Sequence, residues 1–385
     1  MTARKHRIAL FSPPGEFYAH QLRCLDEGFR SLGHECFWES GFFAFDVLSN
    51  WVRENEITLV IEIDRVLPLP EKWPAGKQWP KDVRHFCWMQ DYRSGFVDIT
   101  QDLGASDFLY FLVEPTSFGI NMPSNRPWSI LSPGARADIP PPPGPPSRCD
   151  FSLCGFLPWP VPPLVPIATA ADGSPVVMET FLRAFPTQVL SHINFSFPVI
   201  RRAIQETSER HGWKFMNDFE YVIDEVLVRT LERCYVVDAL LDVSKNVEVW
   251  GRLTWHDRPK YRPYYKGQLL PHELETKVYQ QSRVNIHNGA VSLHFRLFDC
   301  LGAGGFMLVN KTPYDDWKGN IAEAFTDGVH YVSYTLKTLP EVARKYLNDP
   351  EARQAIAAEG RRKVMAEHTW AHRAQQVVAD LERIT

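Results

Sequence analysis

Residues 296–310 read RLFDCLGAGGFMLVN. Gly302, Ala303, Gly304 and Gly305 crowd between a charged start and an apolar finish. The stretch can be a phosphate-binding glycine loop, a packing joint or part of an active site. As a dinucleotide fingerprint it would need a third glycine where Met307 stands, a strand before it and a helix after it. The order here is the reverse. HFRLFDCLG has helical spacing and FMLVN is an apolar strand, so the glycines are expected to end a short helix and turn tightly into a strand. That reading sets aside nicotinamide-dependent redox chemistry.

The same alternation extends outward in both directions. Upstream lie a helix, HELETKVYQQS, with acidic residues in its first turn, and a strand, RVNIHNG. Further back, VEVWGRL and YYKGQLLP read as strands, DEVLVRTLERCYVVDALLDVSK carries an apolar helical stripe, and residues 176–190 and 198–210 read as helices. Downstream, VHYVSY is a strand, followed by helices that include one opening on Pro350 and a last one, WAHRAQQVVADLERI. The first third has the same rhythm. Strands are expected at HRIALFS (6–12), HECFWES, ITLVIEID (57–64), VRHFCWMQD (83–91), DFLYFLVE (107–114) and PWSILSPGA (127–135), with a helix closed by Gly33 after the first and another, AFDVLSNWVREN, after the second. Strands alternating with helices predict parallel sheets. Between the halves, ADIPPPPGPPSRCD (137–150) resists helix and central strand alike and favours an extended linker. The expected domains are 1–136, the linker 137–150, a second domain 151–366, and a terminal helix 367–385 that crosses back to the first. Ligands are then expected in a cleft between two doubly wound domains, at the C-terminal ends of the strands.

Composition narrows the function. The 385 residues carry a formal net charge of −4, which gives no support to a nucleic-acid acceptor. GRRK (360–363) reads as a solvated helix face. The seven cysteines are scattered without a CxxC pair, as in a reduced, cytoplasmic protein. The basic Met1 to Arg7 precedes IALF, but SPPG interrupts it too soon for a signal sequence. No apolar run is long enough to span a membrane, and FLPWPVPPLVPIATAA carries five prolines. Thirteen histidines show no HExxH, and no D-x-D occurs. EID at 62–64 is the nearest approach and reads as a buried strand end. No P-loop and no GxSxG elbow is present. Most of the aromatics, 13% of the chain, are expected in the core, although those in FLPWP and KYRPYY could stack on a sugar or a base.

Arg296 and Asp299, three apart, share one face of the predicted helix start. A helix N-terminus with an arginine suits a diphosphate, and an acid one turn on suits a ribose diol. A plain surface Arg–Asp pair is the competing reading.

From VEVWGRL to its end the chain resembles the C-terminal domain of glycosyltransferases of the two-Rossmann GT-B architecture, in particular the CgeB-like (spore maturation protein) family. The resembling pieces are YYKGQLLPHELETKVYQQSRVNIHN, HFRLFDCLGAGGFMLVN, AFTDGVHYVSY and GRRKVMAEHTWAHRA, in that order. The first 150 residues carry the likeness only through WMQD (88–91) and SPGA (132–135). The resemblance implies an α/β chain of two Rossmann-like doubly wound domains facing across a cleft. It implies that Asp299 binds the donor ribose, that Arg296 with the amides around it lies at the diphosphate, that Lys266, Gly267 and Leu269 of the KGQL turn contact the base, largely through main-chain groups, and that His294 belongs to the same donor-binding set. Arg252, after the VEVWG strand, faces the same place. Many retaining enzymes of this architecture keep a glutamate eight residues before the ribose acid; here Val291 stands there, so a retaining mechanism does not follow.

The expected activity is a metal-independent sugar transfer from a nucleotide-diphosphate sugar to an acceptor hydroxyl, with no cofactor and with Arg296, Arg252, Lys266 and helix dipoles neutralising the leaving group. An inverting transfer needs a base. His20 and Glu16, one turn apart after the PPG loop, and Asp91 after the fourth strand are the candidates. A sugar-nucleotide epimerase and a non-catalytic nucleotide- or glycan-binding module are the alternatives.

Overall fold

Four apolar runs in the first third are buried along almost their whole length, as strands covered on both faces must be. The computed structural model describes residues 5–384 except 42–43, 65, 67–78, 91–106, 119, 125, 159–161, 186–196, 217–218, 270–271 and 290. In chain order the first elements are β1 (Arg7–Ser12), α1 (Glu16–Ser31), β2 (Glu35–Ser40), α2 (Phe45–Glu54), β3 (Leu59–Ile63), β4 (Arg84–Met89), β5 (Phe108–Phe111) and β6 (Trp128–Ile130). The six strands form one sheet in the order β2-β1-β3-β4-β5-β6, every pair parallel. α1 closes as its sequence predicts. Gly33 takes φ 85°, its amide bonds Arg30 O and the His34 amide bonds Phe29 O, so the last carbonyls of the helix are satisfied.

The second series is β7 (Cys149–Cys154), β8 (Pro166–Thr169), β9 (Pro175–Val177), α3 (Met178–Ala184), α4 (Phe197–His211), β10 (Lys214–Phe215), α5 (Phe219–Leu241), β11 (Val247–Trp250), β12 (Tyr265–Gly267), α6 (His272–Gln281), β13 (Ser282–His287), α7 (Phe295–Ala303), β14 (Met307–Asn310), β15 (Val332–Tyr334), α8 (Leu339–Asn348), α9 (Pro350–Glu367) and α10 (Trp370–Ile384). The main sheet runs β12-β11-β7-β13-β14-β15, again all parallel. Numbered within this sheet the order is 3-2-1-4-5-6, that of dinucleotide-binding folds.

The chain divides into two compact units. One comprises residues 1–138, 317–323 and 364–385; the other comprises 139–316 and 324–363. In the first unit the returning helix α10 is tied down by Tyr110, whose hydroxyl donates to Asp380 at 2.8 Å, and by Trp88, edge-on to Trp370.

Two features depart from the sequence expectation. A three-stranded antiparallel sheet, β10-β8-β9, is inserted in the second unit. Two of its three strands begin at proline, Pro166 and Pro175, a position where a missing N–H removes no ladder bond. The helix expected over 176–190 accordingly begins only at Met178, after β9, and residues 186–190 lie outside the described residues.

The glycines of 302–305 do what the spacing predicts. Gly304 caps α7 in the left-handed region (φ 80°, ψ 23°), its amide bonds Leu301 O, and β14 starts three residues later. The stretch is a helix-to-strand joint, with no phosphate loop in it.

Candidate functional site

β7 and β13 lie side by side in the second sheet, yet the chain leaves β7 toward β11 and leaves β13 toward β14. Loops that part in this way open the crevice where parallel sheets bind ligands. Three loops meet there. After β7 come Gly155 and Phe156, after β11 Gly251 and Arg252, and after β13 Asn288 and Gly289. Backbone packs on backbone between the first two. Gly251 has φ 151°, and a Cβ on it would stand 2.5 Å from Gly155 O. The Trp255 indole N–H donates to that same oxygen at 2.6 Å.

Cationic side chains gather on this floor. The Arg252 guanidinium carbon lies 4.3 Å from the centre of the Phe156 ring, with Arg229 at 5.2 Å and Arg233 at 5.3 Å. Arg233 is buried and donates to Phe156 O and Asn288 O. Arg229 and Arg233 are one helical turn apart on α5, so one helix face delivers both. Between them in sequence is Glu232, 6% exposed; burial pushes its carboxyl up to about 7, against a hydrogen bond from Asn288 and the charges of Arg233 and Arg229.

The start of α7 supplies the rest. His294 is its N-cap, and its Nδ1 accepts the Arg296 amide at 3.3 Å. The Arg296 guanidinium approaches His287 Nδ1 at 3.5 Å, while His287 Nε2 lies 3.0 Å from Val291 O. A carbonyl only accepts, so the His287 proton is on Nε2 and Nδ1 is the acceptor. Burial, and then the Arg296 charge, pushes His287 down to about 3. The same two causes hold His294 well below its ordinary value, joined by His287, Arg233 and Arg229. Both rings are therefore neutral at physiological pH, and the His294 proton sits on Nε2 as a donor. Arg296 itself makes no salt bridge with a described residue; burial lowers its pKa, opposed by Tyr279, Cys154 and Glu275. An arginine drawn in from water with no salt bridge to a described residue can pair with an anion.

The structure thus brings Arg252, His294 and Arg296 together with Arg229, Arg233 and His287 at one switch point. Asp299 lies one turn along α7, half-buried. Lys266, exposed, and Gly267, with φ 112°, belong to the edge strand β12, and Leu269 is half-buried just beyond it. Gly267 O accepts the Gly251 amide, which ties the KGQL turn to the Arg252 loop. The second unit has its switch-point floor built largely from α5 and the Phe156 loop. The sequence shows two arginines four apart within an apolar helical stripe, VLVRTLERCYVV, but not which element their face meets.

In the first unit, Glu16 is exposed and ion-paired to Arg23, and His20 Nε2 lies 3.5 Å from Cys24 Sγ. Asp91 lies outside the described residues. This sheet too has a switch point, between β1 and β3. At the end of β3 stands Asp64, a non-glycine residue with φ 52°. Its Oδ2 accepts the Tyr18 hydroxyl at 3.2 Å and its Oδ1 the Gln90 amide at 2.6 Å. The EID stretch is therefore a strand end that presents a carboxylate, which the sequence reading took as burial alone.

Among the described residues no group of three or more His, Cys, Asp or Glu side chains could hold a metal ion, and no helix is long and apolar enough to cross a membrane. The seven cysteines form no disulfide.

Residues 227–379 match a family model described as glycosyl transferase-like. No curated protein sequence matches the chain. Among solved structures, a glycosyltransferase from Rickettsia africae ESF-5 is similar at 8% identity, covering 99% of each chain, with a TM-score of 0.53. Anabaena HepE in complex with UDP-glucose is similar at 8% identity, over 98% of this chain and 100% of that one, with a TM-score of 0.53. HepE in complex with UDP is similar at 9% identity, over the same shares, with a TM-score of 0.51. At such identities the likeness is one of fold: mixed α/β with parallel sheets, as in the two-Rossmann glycosyltransferases.

Proposed function

We propose that this protein is a glycosyltransferase of the CgeB-like kind, moving a sugar from a nucleotide-diphosphate sugar to an acceptor hydroxyl without a metal ion. The observation that carries this reading is the cationic floor at the β7/β13 switch point, where Arg252 and Arg296 have no salt-bridge partner among the described residues. A diphosphate supplies the missing anion. As the sugar leaves, negative charge grows on the diphosphate, and fixed guanidinium groups with the His294 Nε2–H stabilise it where a divalent cation otherwise would. Asp299 accepts hydrogen bonds from the ribose diol, and the turn from Lys266 to Leu269 meets the base. HepE, of similar fold, holds UDP-glucose; a uridine donor is therefore the first to test here. The acceptor side falls to the first unit. Seven cysteines without a disulfide agree with a place in the cytoplasm.

Thermal-shift measurements with UDP, GDP, TDP and CMP test the donor assignment, because a ligand of the native state raises its melting temperature by mass action. One nucleoside diphosphate should stand out. A flat response to all four overturns it. Incubating the matching sugar nucleotide without acceptor separates transfer from epimerisation: an epimerised donor would mean that the alternative chemistry is the right one.

A further inference from the structure

The three arginines of the switch-point floor share one neighbour that carries no charge. We propose that Phe156 is a positioning residue, whose ring holds the Arg252 guanidinium in place for the diphosphate before the donor arrives. The proposal rests on the donor reading and adds to it the group that orders a phosphate-binding arginine.

Three observations carry it. The first is the joining of the two loops. Residues beside Phe156 are bonded to residues on both sides of Arg252. The Gly155 amide donates to Trp250 O at 2.8 Å, the Trp255 indole N–H donates to Gly155 O at 2.6 Å, and the buried Thr254 hydroxyl donates to Leu157 O at 2.8 Å. Gly251 lies against the same stretch, where a Cβ would stand 3.0 Å from Phe156 Cα as well as 2.5 Å from Gly155 O. Phe156 and Arg252 are thus set opposite each other by bonds that neither side chain makes.

The second is the contact itself. The Arg252 guanidinium carbon lies over the Phe156 ring, 4.3 Å from its centre, where the negative face of the ring attracts a cation. The ring is half-buried and the arginine exposed. An exposed arginine samples many rotamers, and ordering it on binding costs affinity. A ring beneath it removes part of that cost in the unbound protein.

The third is the contrast among the arginines. Arg233 is buried on α5 and donates to Phe156 O and Asn288 O, so carbonyl groups fix it. Arg229, half-buried on the same helix, lies 5.2 Å from the ring centre. Arg252 is nearer, stands on a loop and makes no salt bridge with a described residue, so its direction depends most on the ring.

Calorimetric titration of the full chain with UDP, inorganic pyrophosphate and uridine tests this. Phe156→Leu keeps an apolar side chain without a ring, and Phe156→Tyr keeps the ring. Phe156→Leu should weaken UDP and pyrophosphate by about 3-fold to 10-fold and leave uridine within about 2-fold, while Phe156→Tyr stays within about 2-fold for all three. Undiminished UDP affinity in Phe156→Leu overturns the proposal. So does an equal loss in Phe156→Tyr, because packing and not the ring face would then be at work. A cycle with Arg252→Ala gives the decisive readout. If the ring acts through Arg252, Phe156→Leu should change UDP affinity by less than about 2-fold once the arginine is gone. The full loss appearing again in that background also overturns it. Should Phe156→Leu not fold, Phe156→Met takes its place in every arm. A wild-type protein that binds no nucleoside diphosphate overturns the donor reading and this proposal with it; one that binds UDP while the cycle shows no coupling overturns this proposal alone.

Discussion

The Nδ1 atom of His294 accepts the amide proton of Arg296 at 3.3 Å, so the residue that starts α7 also fixes its own tautomer. Capping and ligand donation are then separable. Asparagine is a strong N-cap but lacks the imidazole Nε2–H. His294→Asn should keep its unfolding free energy within about 0.5 kcal/mol of the wild type and weaken UDP binding, whereas His294→Ala should lose about 1 kcal/mol of stability as well. Denaturant titration and calorimetry read the two effects apart. UDP affinity unchanged in His294→Asn would reduce the residue to a cap.

Arg296 sits one step further into the site with no salt bridge to a described residue. Its burial works against folding, opposed in part by Tyr279, Cys154 and Glu275, and on the proposed reading a bound diphosphate offsets the rest. Arg296→Met removes the charge while keeping much of the side-chain volume. Melting temperature should hold or rise, while UDP binds 10-fold to 100-fold more weakly, about 1.5–3 kcal/mol for a charged hydrogen bond. A destabilised variant with normal UDP affinity would show that the arginine serves the fold.

Much of this arrangement was legible in the sequence, and the reasons it was not elsewhere are physical. β1, β3 and β14 announced themselves as continuous apolar runs because parallel strands are covered on both faces. Gly33 and Gly304 announced helix ends because a left-handed cap favours glycine. Arg296 and His294 could be singled out from the sequence because a helix start is a local feature. The sheet containing β8 was hidden because proline within a run argues against a central strand, yet Pro166 stands at a strand's first position. Arg229 and Arg233 were hidden inside an apolar helical stripe, since only the strand order reveals that their face meets the switch point. Asp64 was hidden because nothing in a sequence displays a positive φ at a residue other than glycine.

Two buried groups give the stability opposite pH dependences. His287 is pushed down to about 3, below its unfolded value, so its contribution is present above about pH 6.5 and is lost as pH falls toward 3; at pH 5 the loss is about 2 kcal/mol. Glu232 is pushed up to about 7, above its unfolded value, so its contribution is present at low pH and is lost as pH rises from about 4.5 to 7. Glu232→Gln should therefore stabilise the protein at pH 8, on the order of 2–3 kcal/mol, with the gain fading toward pH 5. His287→Gln should flatten the acid limb instead. Urea unfolding of both variants at pH 5 and pH 8 checks the pair; gains or losses that do not change with pH would refute the assignments.

Gly251 and Gly267 both have positive φ, yet substitution should affect them differently. A Cβ at Gly251 would meet Gly155 O at 2.5 Å, backbone against backbone, whereas a Cβ at Gly267 meets nothing within 4 Å. Gly267→Ala should cost only the backbone term, about 1–2 kcal/mol. Gly251→Ala must also push two switch-point loops apart, and should lose about 3 kcal/mol or more together with UDP binding. Equal losses in the two variants, measured by denaturant unfolding, would mean that the Gly155–Gly251 contact does not hold the floor of the site.

Arg252 and Asp299 are assigned to different parts of one ligand, and this assignment can be read without knowing the acceptor. Arg252 should meet phosphate. Arg252→Ala should therefore weaken UDP by about 10-fold while leaving uridine nearly unchanged, and the loss should shrink as salt screens the exposed guanidinium. Asp299 should meet the ribose diol. The wild type should prefer UDP over 2′-deoxy-UDP, because removing the 2′-hydroxyl leaves an acceptor unmatched. In Asp299→Ala that preference should vanish, with UDP falling to the level of the deoxy ligand. The cycle of two proteins and two ligands isolates the pairwise term, since each change removes one side of a single interaction. If Asp299→Ala lowers both affinities equally and the preference survives, the carboxylate acts elsewhere, and the ribose must be sought along the β12 turn instead.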